Sequence, residues 1–115
     1  MSEADAINRG VLAGLLESVG GDREFLAELL QDYFNDSPQQ LAAMEAALAA
    51  GDGEGLRRAA HSLKSNSATF GAATLSSLCK ELEDMGKAGA FEGAQARLAQ
   101  ATAEYERARR ALEGS

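Results

Sequence analysis

A chain of 115 residues with a formal net charge of −7 has the size of one ordinary domain, residues 1–115, able to bury a core without disulfides or metal. That charge argues against nucleic acid, which needs a clustered basic surface to neutralise several phosphates. A single cysteine, Cys79, cannot form an internal disulfide, and no Cys/His cluster has metal-ligand spacing.

Alanine, leucine and glutamate dominate, tryptophan is absent, and β-branched and aromatic residues are too sparse for a set of strands, so the expected class is all-α. No run approaches the ~20 apolar residues of a membrane span and no signal-peptide pattern is present. The default expectation is a monomer in the cytoplasm, away from membranes.

Met1 to Ala6 reads as a frayed lead-in. Asn8 is placed to cap a short helix to about Val19, with Val11, Leu12, Leu15, Leu16 and Val19 as its stripe, and Gly20-Gly21 ends it. Asp22 caps a second helix whose strongest face is Phe25, Leu26, Leu29, Leu30, Tyr33 and Phe34. Pro38 interrupts this pattern. Either it kinks a continuous helix by removing one backbone donor, or the helix restarts with Ser37 as N-cap and Gln40 completing a capping box. Leu41, Met44 and Leu48 resume the stripe to about Ala50.

Gly51-Asp52-Gly53 is a turn, with Asp52 capping a third helix that ends near Phe70, where Gly71 supplies a positive φ. A fourth helix follows with Leu75, Leu78, Cys79, Leu82 and Met85 as its inward row, its end bracketed by Gly86 and Gly89. Phe91, Ala94, Leu98, Ala101, Tyr105, Ala108 and Leu112 form the seam of the last helix. Short connections favour antiparallel neighbours, which predicts an up-down-up-down four-helix bundle of helices two to five with the first helix lying across one end.

The third helix carries the only histidine. At about 100° per residue, Leu56, Ala59, Ala60, Leu63, Ser67 and Phe70 share an apolar sector, while Arg57, Arg58, His61, Lys64, Ser65 and Ala68 share the opposite face. An imidazole there points into water. As a metal ligand it lacks a second His or Cys at i+3 or i+4. As a general base it lacks an evident nucleophile, an orienting acid and a concave pocket. An ordinary surface histidine remains open, and so does a nucleophile that accepts a group from another protein's active site.

A free imidazole with a pKa near ~6.5 keeps a nitrogen lone pair at neutral pH. Lys64 stands one turn from it. An ammonium about 4 Å from a phosphoryl group on the ring gains roughly 4 kcal/mol at an effective dielectric near 20, less when exposed and screened by salt. Arg57 can do the same or attract an acidic partner surface. Both also fit a plain solvated face.

The run HSLKSNSATFGAATLSSLCKELE, His61 through Glu83, resembles the signature of histidine-containing phosphotransfer (HPt) domains of multistep His-Asp phosphorelays: His-x-Leu-Lys-Gly, small residues, a Gly, then Leu-x-x-Leu-Cys-x-x-Leu-Glu. Ser65 departs from the usual glycine but is still small. The resemblance implies a four-helix bundle in which His61 is phosphorylated on Nε2 by the phospho-aspartate of a response-regulator receiver domain and passes the group to another. It implies Lys64 as the residue steadying the phosphoryl group; by helix geometry, Ser65 and Ala68 on the His61 strip, with Arg57 and Arg58 beside them, are the expected docking face. Receivers and a hybrid sensor histidine kinase would be the partners. No cofactor of its own is implied, since the receiver supplies the acidic pocket and Mg²⁺, nor any autonomous kinase or phosphatase activity. Two rivals are an enzyme in which His61 acts on a small molecule and a helical adaptor in which His61 plays no part.

Overall fold

The computed structural model describes residues 6–113, and all regular structure among them is helical: α1 (Arg9–Ser18), α2 (Arg23–Ala50), α3 (Gly53–Thr69), α4 (Ala73–Ala88) and α5 (Ala94–Glu113). Consecutive helices from α2 to α5 pack side by side, and α5 returns against α2, closing the four-helix bundle. At 1.5 Å per residue the 28 residues of α2 span roughly 42 Å, which is the long dimension of the molecule, 43 Å.

The predicted caps form. Asn8 Oδ1 accepts from the amides of Gly10 and Val11, Asp22 Oδ1 from Phe25 and Asp52 Oδ1 from Gly55, so each side chain satisfies amide donors that the first helical turn leaves open. The amide of Asn8 donates to the carbonyl of Gly71 at 2.7 Å, and Arg9 Nη2 donates to the carbonyl of Ala111. These bonds seat α1 at the end of the bundle where α3 turns into α4 and α5 finishes. Gly71 has φ +81°, and a Cβ on it would lie 2.7 Å from the carbonyl oxygen of Asn8; the turn and the close approach both require glycine.

Several expectations need correction. Ala6, the last residue of the expected lead-in, is buried and belongs to the core together with Ile7, while residues 1–5 lie outside the described residues. The restart at Pro38 does not occur, because α2 runs through it without a break. Ser37 is buried and donates through Oγ to the carbonyl of Tyr33 at 2.6 Å, so it sits inside the helix rather than capping one, and Gln40 reaches back to Asp36 instead. The face at the start of α2 is less buried than its apolar residues suggest. Of Phe25, Leu26, Leu29, Leu30, Tyr33 and Phe34 only Tyr33 is fully buried, and Phe25 is 44% exposed.

In α4, Gly86 does not mark the helix end; Gly89 does, in a left-handed conformation. Gly86 lies within α4 where it crosses α3 so closely that a Cβ would meet the carbonyl oxygen of Gly53 at 2.6 Å and the amide nitrogen of Arg57 at 2.7 Å. The inward arc is accordingly Leu75, Cys79, Leu82, Glu83 and Gly86, with Leu78 and Met85 at its margins. Phe91 precedes α5 and is only partly buried. The remaining seam residues of α5 are buried as expected, alongside Met44, Leu56, Ala60 and Leu63. Between α2 and α3 the core carries a buried hydrogen bond between Tyr33 Oη and Ser67 Oγ at 2.8 Å, and the Tyr33 ring packs against Phe70 and Tyr105.

Candidate phosphoacceptor site

The middle of α3 faces solvent on the side away from its apolar sector, and the His61 side chain is 55% exposed. The orienting acid that α3 itself lacks comes from α4. Glu83 Oε2 lies 2.9 Å from His61 Nδ1, and Glu83 Oε1 accepts from Lys64 Nζ at 2.6 Å. Glu83 is buried at the α3–α4 seam, with only 6% of its side chain exposed. Its carboxyl is held down at about 2, chiefly by the hydrogen bond from Lys64, with burial opposing and the His61 bond assisting.

A carboxylate that stays ionised can only accept, so the hydrogen between it and the ring belongs to Nδ1. Nε2 then carries the lone pair. It makes no hydrogen bond to any described residue, and the side chain that carries it is more than half exposed. When the ring is neutral, the arrangement presents an oriented nitrogen nucleophile, with a fixed negative charge behind the ring to balance positive charge that develops on it.

The other predicted residues lie in different places. Lys64 is brought to the site, but its ammonium is bound to Glu83 rather than standing free beside Nε2. Arg57, one turn before His61, forms two hydrogen bonds with Glu54, and that carboxylate raises its pKa. Arg58 lies on the α2 side, lining a groove with Gln40, Asp52 and Ser62. Ser65 and Ala68 are exposed and continue the His61 strip toward the end of α3. Gly71 is away from the strip, in the turn already described.

Glu83 is the residue the sequence reading missed as a site residue. The signal appears once the rotation of α4 is known: a carboxylate on its inward arc must find partners, and His61 and Lys64 on the facing helix are basic residues one turn apart. Cys79, on the same arc, has its thiol pushed up to about 12 by burial and is an inert part of the core. Among the described residues no three His, Cys, Asp or Glu side chains converge where they could hold a metal ion, and no helix is long and apolar enough to cross a membrane.

The solved structure of histidine-containing phosphotransfer protein B (HptB) from Pseudomonas aeruginosa PAO1 is similar over 95% of this chain and 92% of that chain, with 34% identity and a TM-score of 0.87. No curated protein matches the chain. The family described as Hpt domain matches residues 28–111, a span that runs from the first turns of α2 nearly to the end of α5 and contains His61, Lys64 and Glu83. On this match and the shared fold, the chain belongs to the Hpt domain family.

Proposed function

We propose that this protein is a phosphorelay intermediate in two-component signalling: His61 accepts a phosphoryl group from the phospho-aspartate of one receiver domain and passes it to the aspartate of another. The observation that carries this reading is the His61–Glu83 contact at 2.9 Å, which holds the ring by Nδ1 and leaves Nε2 open. In the transfer, the Nε2 lone pair attacks phosphorus while the bond from phosphorus to the aspartyl oxygen breaks and the carboxylate leaves. No proton has to move. The Nδ1 hydrogen stays on the ring facing Glu83, and the ring's new positive charge is met by that carboxylate.

Lys64 keeps Glu83 ionised and oriented before transfer and is within one turn of the phosphoryl group afterwards, so it steadies the modified state. Ser65 and Ala68 form the floor on which the receiver's rim settles, with Arg57 and Arg58 at its edge. The divalent ion and acidic pocket belong to the receiver; the chain is a carrier with no kinase or phosphatase activity of its own, and its donors are receiver domains of the kind found in hybrid sensor kinases.

The test is incubation with a panel of ³²P-phosphorylated receiver domains. Wild type is expected to gain acid-labile, alkali-stable label, and His61→Gln, whose fold should be intact within about 0.5 kcal/mol because the residue is exposed, is expected to gain none. Label on the variant overturns the assignment. Binding of receivers without label on wild type would favour the adaptor reading.

A further inference from the structure

The two flanks of the His61 strip differ in charge. On the α4 flank, Glu54, Glu83 and Asp84 each have a cation, respectively Arg57, Lys64 and Lys80. On the α2 flank, a recess of about 290 Å³ opens between α2 and α3, floored by Leu29, Tyr33 and Phe70 and walled by Asp32, Asp36 and Asn66. No cation among the described residues pairs with either aspartate: Asp36 receives only long amide contacts from Gln40 and Asn66, at 3.3 to 3.5 Å, and Asp32 is exposed.

Building on the phosphotransfer reading, we propose that this recess takes a lysine or arginine side chain of the docking receiver and thereby helps select which receivers engage His61. A long basic side chain suits it because its aliphatic stem covers apolar surface while its charged head stays at the polar rim, here between carboxylates one turn apart on α2. The position is also suitable. Asn66 and Thr69, which line the recess, directly follow Ser65 and Ala68 on α3, so the recess borders the strip on which a receiver would sit. With the receiver's acidic centre over His61, a basic group over Asp32 and Asp36 is the complementary arrangement and fixes the partner's rotation about the axis of transfer. Rim charges of this kind act chiefly on encounter and on salt dependence.

The experiment pairs Asp32→Asn/Asp36→Asn with a receiver that phosphorylates the wild-type protein, and follows transfer at low and high ionic strength. The expected result is a KM for the receiver raised about tenfold at low salt, a flatter salt dependence and an unchanged rate at saturation, with thermal stability near wild type. Asp32→Lys/Asp36→Lys should weaken transfer further, and changing a basic rim residue of the receiver to glutamate should partly restore it. Phosphoramidate, a small donor that needs no docking surface, serves as control and should label His61 equally in all variants. Variants with wild-type KM and salt dependence overturn the proposal while leaving the phosphotransfer reading intact; if no receiver of the panel and no phosphoramidate labels wild type, that reading falls instead.

Discussion

Glu83 accepts from His61 Nδ1 across the α3–α4 seam while its other oxygen takes Lys64, so one carboxylate binds two residues that lie a single turn apart on the neighbouring helix. The ring is therefore aimed by α4, not by the helix that carries it. Glu83 is expected to matter to transfer although it faces away from the partner.

Glu83→Ala should slow phosphorylation of His61 roughly tenfold, the scale of losing one hydrogen bond to a charged group. Ring ¹⁵N shifts should then show a mixture of the two neutral tautomers in place of the Nδ1-protonated form. Glu83→Gln retains an acceptor oxygen and should recover part of the rate. An alanine variant with wild-type kinetics and tautomer would mean that the contact does not orient the ring.

The depressed pKa of Glu83 has a consequence for stability. Its folded value of about 2 lies below the ordinary 4.5, so the ionised form is favoured by folding, and this contribution is complete above about pH 4.5 and lost as pH falls toward 2. The difference in urea midpoint between wild type and Glu83→Gln should shrink across that interval. Because Lys64 is the main cause of the depression, Lys64→Ala should move the loss to higher pH. The same variant should also shorten the lifetime of the phosphorylated form several-fold, consistent with a partly exposed ion pair.

Ser65→Gln should leave thermal unfolding close to wild type, since Ser65 is exposed, yet reduce transfer from a receiver by about a hundredfold. Reacting atoms must approach to roughly 3–3.5 Å, and a displacement of about 1 Å is enough to cause that loss. Normal transfer by this variant would place the receiver on another side of the ring.

Gly86→Ala should destabilise the protein by about 1–3 kcal/mol, the usual range for overpacking, despite alanine's better helix propensity. The added methyl meets backbone of α3 at Gly53 and Arg57, which cannot turn aside as a side chain can. Thermal denaturation measures the loss. A wild-type midpoint would show that the two helices can separate slightly at no cost.

Much of this architecture was legible because local chemistry and hydrophobic period agree. Asn8, Asp22 and Asp52 sit at helix starts, glycines sit at the ends, and the apolar residues of α3 and most of α5 repeat at the spacing of a packed face. The exposed position of His61 follows from that same period. Pro38 was ambiguous because a proline both breaks helices and begins them; the tie came undone only in three dimensions, where Ser37 turns inward and bonds to Tyr33. Gly86 read as punctuation since a close helix crossing and a helix end call for the same residue.

Glu83 was harder to find for a different reason. It lies 22 residues from His61, and its role depends on how α4 is rotated against α3. The close crossing at Gly86 turns the inward arc toward α3 and brings Glu83 with it, away from the row expected from Leu78 and Met85. Periodicity along one helix carries no information about that rotation.

The single outward nitrogen of His61 also sets the traffic rules of the proposed relay. Donor and acceptor receivers must use the same berth, because one ring edge on one strip of α3 cannot serve two active sites at once. Their visits exclude each other, so the protein shuttles rather than bridges. An unphosphorylated acceptor in excess would compete with the donor for the docking face as well as draining the phosphoryl group, and the flux should pass through a maximum as acceptor concentration rises.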